Sequence, residues 1–363
     1  MLAVYVSGHG YGHATRTAEV LRAVRERAPD LEVAVATSAP AFLFTETVAP
    51  PLSVRSLECD VGLAQRDALV IDTGATVKRW RAFRAAWDTL VSEEARRLRA
   101  DRSRLVLGDI PPLASAVASE AGVRSIALGN FSWDWIYAHV ARTEPALGEA
   151  AEFCRAVYGR TDLLLRLPFA GDLGAFPRIE DLPLVARRPR VPREEARRRL
   201  ALGPSPAILL SFGGVGMPDL DPGVFGALAD WQILLTGRTS DDARDPGNVR
   251  RVHGGDLRVL GLGYPDLVAA VDVVVSKPGY GIVSDCIGAG SRLVYTDRGE
   301  FPEYPILVRE MAEHLPVAFA SNEDIRRGRI REAVEAVLGR AMPPPPDTSG
   351  ADRAASHILD NLP

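Results

Sequence analysis

The sequence predicts an α/β protein with two Rossmann-like domains whose parallel sheets face each other across a cleft, and three observations predict it. Short, apolar, β-branched runs alternate with helix-compatible segments through both halves of the 363-residue chain. A glycine loop follows the first strand of each half. Between the halves, residues 171–206 hold six prolines and many charges, the composition of a connector rather than a core. The expected organisation is a first domain over residues 1–175, a connector over 176–206, a second domain over 207–340 and a C-terminal helix within 347–363.

In the first half, Leu2 to Val6 reads as a strand and Ser7 to His13 as a glycine turn leading into a helix from about Ala14 to Arg27. Glu32 to Thr37 reads as a strand, Leu69 to Ile71 as a short one, and Val77 to Ala100 as a long arginine-rich helix. Leu105 to Gly108 and Ser125 to Leu128 are apolar strands bracketing a helix from Leu113 to Ala121, and Leu163 to Leu167 closes the half. The second half restarts with strands at Ala207–Ser211, Gln232–Leu235, Arg258–Leu260, Val271–Val275 and Leu293–Tyr295. After the rigid spacer Pro343–Pro346, Ala351 to Leu362 forms a last amphipathic helix.

Hydrophobic content of 47%, charged content of 25% and a formal charge of -4 describe an ordinary globular chain, without the basic surface that nucleic acid or an anionic membrane requires. No apolar run reaches the roughly 18 to 20 residues of a membrane span. Cys59, Cys154 and Cys286 are widely spaced, odd in number and without a CxxC pair, so a reduced cytoplasmic protein with no metal site is expected.

The stretch from 271 to 300 is the most informative. A β-branched strand breaks at Ser276-Lys277-Pro278-Gly279-Tyr280-Gly281, and a helix follows at once, aiming unpaired N–H groups and the positive end of its dipole at whatever lies above the strand. A phosphate suits that place. Asp285 falls one turn into the helix, while Glu300 and Glu303 follow the next strand as acceptors for sugar hydroxyls. Gly213 and Gly214 form a second loop after a strand, either a plain turn or a close backbone approach to a diphosphate, and Tyr264 either stacks on a base or packs in the core. In the first half, Gly8 to Gly12 lacks the third glycine of the dinucleotide fingerprint, its place being taken by His13. Gly10 and Gly12 let backbone approach a substrate while His9 and His13 present imidazoles, either of which can serve as a general base toward a hydroxyl. Asp109, Asn130, Trp133 and Asp134 close two first-half strands on the cleft side and suit a sugar or other acceptor, or equally a lid packed on the core. No Walker A, HExxH or GxSxG sequence is present.

With these residues in hand, the pattern resembles the GT-B glycosyltransferases, in particular the family 28-like group that contains the UDP-GlcNAc transferase of peptidoglycan lipid synthesis. The resemblance spans nearly the whole chain, including the last helix, which in that fold packs back on the first domain. SGHGYGHATR, GDIPPLASAVASEAGVRSIALGNFSWDWIY and SKPGYGIVSDCIGAG are closer still to the glycosyltransferase-like N-terminal half of L-arabinokinases. Their kinase half has no counterpart here, so a sugar-kinase activity is not implied. By motif, His13 matches the histidine ending the first glycine loop, Gly213 and Gly214 the second-domain diphosphate loop, and Ser276 to Gly281 the turn over the diphosphate. Asp285 takes the place of a ribose-binding glutamate, shortened by a methylene, and Glu300 or Glu303 falls near a sugar-contact loop whose DQ pair is missing. The resemblance implies a cytoplasmic, metal-independent glycosyltransferase that needs no cofactor beyond its nucleotide-sugar donor, a UDP-sugar in the first instance. The acceptor, a small molecule, lipid or glycan, is left open, as are an epimerase or hydrolase reaction and a non-catalytic sugar-nucleotide-binding module.

Overall fold

The computed structural model describes residues 1–64, 71–213, 216–217, 219–237 and 245–362. Seven parallel strands form the first sheet: β1 (Leu2–Val6), β2 (Val33–Thr37), β3 (Leu52–Ser56), β4 (Leu105–Asp109), β5 (Arg124–Gly129), β6 (Leu163–Arg166) and β7 (Ile179–Asp181). Six more form the second: β8 (Ala207–Ser211), β9 (Gln232–Thr236), β10 (Val249–Arg251), β11 (Val273–Ser276), β12 (Arg292–Tyr295) and β13 (Val317–Phe319). The strand orders are β3-β2-β1-β4-β5-β6-β7 and β10-β9-β8-β11-β12-β13. Each sheet therefore reverses direction once, between β1 and β4 and between β8 and β11, and a crevice opens above the carboxyl ends at such a switch point.

Register decides what reaches those crevices. Val6 pairs with Asp109, so the Asp109 carboxylate emerges beside the turn after β1. In the second sheet Val275 pairs with Leu210, which brings Ser211 and Ser276 to the same edge; the Ser276 hydroxyl donates to the Ser211 carbonyl across it. Strands β1, β4, β8 and β11 are buried along their whole length, as expected of apolar runs covered by helices on both faces.

Helix Gly10–Arg27 starts earlier than its apolar periodicity suggests, because Gly10 adopts φ +66° and turns the loop directly into the first helical residue. It packs between the first sheet, helix Tyr280–Ala289 of the second domain and the C-terminal helix Gly350–Asp360. The last helix packs on helix Gly10–Arg27: Ala351, Ala354, Ala355 and Ile358 are buried in the shared core, and Arg27 donates to the Ser356 hydroxyl. A β-carbon at Gly350 would lie 2.2 Å from the Pro183 carbonyl oxygen, so glycine is required where this helix begins.

Three expectations are corrected. Arg258–Leu260 is not a strand: Arg258 and Val259 end helix Gly254–Val259, whose Asp256 carboxylate accepts from the His253 N–H as an N-terminal cap. The strand of that region is β10, at the sheet edge. The first sheet does not close at β6, since β7 adds to it from within the expected connector and carries the first domain past residue 175. Strands β3, β7 and β13 are half-exposed edges with weak apolar alternation, and the sequence reading misses all three. Leu69 and Val70, most of the short strand expected at 69–71, lie outside the described residues.

The buried face of the last helix is a clean test of how much it holds. Ile358→Ala is expected to cost about 2–4 kcal/mol in urea denaturation, and an exposed change in the same helix, Asp360→Asn, close to nothing.

Candidate active site

His13 lies one turn into helix Gly10–Arg27, Arg16 one turn further on the same face, and both point at Asp109. The Asp109 carboxylate has no exposure to solvent. His13 Nδ1 lies 2.8 Å from its Oδ1, Arg16 Nε donates to Oδ2 at 2.7 Å and Nη2 to Oδ1, and the Thr17 hydroxyl donates to Oδ2 at 2.7 Å. Burial alone would raise the Asp109 pKa, but Arg16 and His13 outweigh it and hold the carboxyl down at about 2. An ionised carboxylate can only accept, so the 2.8 Å contact places a proton on His13 Nδ1, and in the neutral imidazole Nε2 is then the acceptor. The 3.1 Å approach of Arg16 Nη2 to the same Nδ1 is then a close contact of two donors.

The network continues across the cleft. Arg16 Nη1 donates to Asn130 Oδ1 at 2.7 Å, which turns the Asn130 amide nitrogen toward Glu303 Oε1 of the second domain at 2.6 Å. Arg298 donates to the other oxygen of Glu303 and lies over the Phe301 ring, which itself packs edge-on to Phe131 of the first domain. The face of Arg16 rests on Tyr280, 5.2 Å from the ring centroid. Helix Tyr280–Ala289 thus meets helix Gly10–Arg27 start to start: a β-carbon at Gly281 would lie 3.5 Å from the Gly12 Cα. Its N-cap is Gly279, which offers no side-chain acceptor, so the first-turn N–H groups have no side-chain cap.

The other expected residues divide between this network and supporting roles. Ser276, Lys277, Pro278 and Gly279 form the turn ahead of the second-domain helix. Gly213 has φ +71° at the end of β8, and Gly214 lies outside the described residues. Gly10 is exposed, with nothing within 4 Å of a β-carbon built on it. Glu300 is exposed on the loop that leads to helix Glu303–Met311, whose first residue, Glu303, is buried.

His9 is placed differently from His13. Its Nε2 is 2.6 Å from the Val61 carbonyl, which accepts the ring proton, and its ring meets Trp133 edge-on; burial pushes its pKa down. That nitrogen is committed to the loop after β3. Trp133 is buried, donating to Asp60 at 2.7 Å, and Asp134 is buried at a helix start where it accepts from the Ser132 hydroxyl, so neither presents itself to an acceptor. Tyr264 is already engaged: its hydroxyl pairs with Ser211 at 2.6 Å and Arg187 lies over its ring, 5.1 Å from the centroid. Arg187 also makes a two-pronged ion pair with buried Asp285, occupying the carboxylate expected to receive ribose hydroxyls.

Sequence reasoning passes over Arg16, Arg187 and Arg298. Arg16 carries a readable signal, a cation three residues from His13 on one helix face. Arg187 and Arg298 come from the connector and a loop, where nothing in the spacing announces a partner. Among the described residues no group of three or more His, Cys, Asp or Glu could hold a metal ion, and no helix is long and apolar enough to cross a membrane.

No protein-family model matches the chain. Over 99% of its length it is 31% identical to an L-arabinokinase of Arabidopsis thaliana, of which it spans about a third, 34%. Among solved structures it resembles the glycosyltransferase of kitacinnamycin, with a TM-score of 0.64 at 18% identity, covering 100% of this chain and 99% of that one. It also resembles a UDP-glucosyltransferase from Polygonum tinctorium that glucosylates indoxyl, with a TM-score of 0.60 at 14% identity, covering 99% and 93%. Two parallel sheets meeting at their switch points and matching these chains end to end make this a GT-B fold.

Removing the Asp109 charge tests the network. Asp109→Asn leaves Arg16 buried without its counter-charge and is expected to cost about 3 kcal/mol near pH 7. A depressed carboxyl contributes stability that is present above its unfolded pKa and lost as pH falls through its folded one. The gap between wild type and variant should therefore hold down to about pH 4 and shrink toward pH 2, followed by chemical denaturation across that range.

Proposed function

We propose that this protein is a glycosyltransferase that moves a sugar from a nucleotide-linked donor, a UDP-sugar in the first instance, to a hydroxyl acceptor. The observation that carries the reading is the His13–Asp109 pair, which in the neutral imidazole reserves Nε2 as an acceptor, on a helix whose start meets the uncapped start of helix Tyr280–Ala289. His13 Nε2 takes the proton of the acceptor hydroxyl as its oxygen bonds to the anomeric carbon. The bond from that carbon to the donor phosphate breaks, and the nucleoside diphosphate leaves with the electron pair. The first-turn N–H groups of helix Tyr280–Ala289 and the turn containing Lys277 receive the developing negative charge, so the reaction needs no metal. Glu303 and Asn130 belong to the same network as His13 through Arg16, and sugar hydroxyls would exchange for their mutual bond.

His9 is assigned to anchoring the first loop, not to proton transfer, because its Nε2 is already bound. The Arg187–Asp285 pair makes the ribose contact a matter of exchange: ribose hydroxyls compete with Arg187 for the carboxylate, or bind elsewhere. The L-arabinokinase relative is about three times longer, so its kinase activity is not transferred to this chain. The three cysteines, all buried free thiols, suit a reducing compartment such as the cytoplasm.

A selective rise in melting temperature with UDP-sugars, over dTDP-, GDP- and ADP-sugars and NAD, is the expected first result. With a substrate pair in hand, His13→Ala should lower turnover roughly a hundredfold to ten-thousandfold while leaving donor binding intact. Full activity in that variant would sink the assignment, and donor binding without turnover across a broad acceptor screen would favour a non-catalytic module. Epimerised or hydrolysed donor, formed with no acceptor present, would instead move the protein to those reactions.

A further inference from the structure

The contacts of Arg16 go beyond holding Asp109. Arg16 is 3% exposed, and all three nitrogens of its guanidinium are engaged: Nε and Nη2 on the two oxygens of Asp109, Nη1 on Asn130 at 2.7 Å, with one face on Tyr280. Two of these partners are first-domain groups next to the imidazole. The third belongs to the second domain, and Asn130 reaches a fourth, Glu303, also in the second domain, at 2.6 Å. Arg16 reaches both oxygens of Asp109: its Nε shares Oδ2 with the Thr17 hydroxyl, each at 2.7 Å, and its Nη2 shares Oδ1 with the His13 ring. Whatever moves Arg16 moves the donor competing with the imidazole for that oxygen.

We infer that Arg16 is a positioning residue that couples the seating of the second domain to the orientation of His13. With the domains together, Tyr280 and the Asn130–Glu303 bond hold the guanidinium in one plane, and the His13 ring has one acceptor, Asp109, for its Nδ1 proton. With the domains apart, Arg16 loses its ring contact and Asn130 loses the acceptor that fixes its amide, so the guanidinium can swing within its plane of contacts and the His13–Asp109 geometry loosens. The base is thereby set only when both halves of the cleft are in place. Planarity and the fork of donors make arginine specific for this, since a lysine supplies one charged point and no ring-stacking plane.

The inference builds on the reading of His13 as the acceptor's base, but its test observes the imidazole itself without any substrate, so the two can fail separately. The whole chain, labelled with 15N at histidine, is observed by NMR through the His13 Nδ1 proton in its bond to Asp109 and through the His13 Nε2 shift; His13→Gln identifies these signals by their loss. Tyr280→Leu and Glu303→Ala are changes in the second domain that do not touch His13. Each is expected to shift or broaden the His13 signals while exposed His253 is unchanged, and Tyr280→Phe, which keeps the ring, should retain the wild-type pattern. In an Arg16→Lys background the further change Tyr280→Leu should add nothing. Unaltered His13 signals in both second-domain variants, or equal shifts with and without Arg16, would overturn the coupling. If Tyr280→Leu does not fold, Glu303→Ala decides alone.

Discussion

A single buried carboxylate organises this molecule. Asp109 has no contact with solvent and is surrounded by donors from one helix, His13, Arg16 and Thr17. An ionised group in such a place is tolerated only when it is paired and hydrogen-bonded, and here the pairing falls to an arginine that is itself almost fully buried. Neither charge is stable there without the other. The first helix, the end of β4 and the imidazole are consequently fixed relative to one another by the same few bonds, and the proton on Nδ1 follows from the carboxylate being able only to accept.

The second consequence is that the two domains meet at their most polar points. Clefts between domains usually leave such groups to water; here Tyr280 covers Arg16, Glu303 receives Asn130, and Phe301 packs on Phe131. Glycine at positions 12 and 281 keeps the two helix starts close, so the site for a departing diphosphate and the base for an acceptor are adjacent although they come from different sheets. The C-terminal helix, crossing back to pack on helix Gly10–Arg27, and the Arg258–Glu46 ion pair join the halves further from the chemistry.

Much of this architecture was legible in the residues. Strands β1, β4, β8 and β11 are apolar runs buried on both faces, and their shortness and the turn residues that bound them mark them as the middle of a parallel sheet. The glycine loops announced where the helices start. The edge strands β3, β7 and β13 were illegible because an edge buries little and so shows little alternation, and Arg258–Leu260 mimicked a strand because three residues are too few to show a helical period. In the site, His13, Asp109, Asn130 and Glu303 were named singly, each from its position after a strand. That they form one chain of bonds was not readable, because 93 residues of sequence separate Arg16 from Asp109 and 173 separate Asn130 from Glu303.

The sequence by itself determined the two sheets, the glycine turns and the residue types that reach their carboxyl ends, because periodicity and turn chemistry are local properties. Only the tertiary structure decided which of those residues do what. His9 and His13 are alike in sequence, two imidazoles in one glycine loop; one meets the Val61 carbonyl and the other the Asp109 carboxylate. Asp285 and Glu303 are alike as acids flanking a phosphate site, yet Arg187 claims the first and Asn130 with Arg298 the second. The reason is physical: a side chain's role is set by the partner that shares its buried volume, and that partner is brought by register and domain packing from far along the chain.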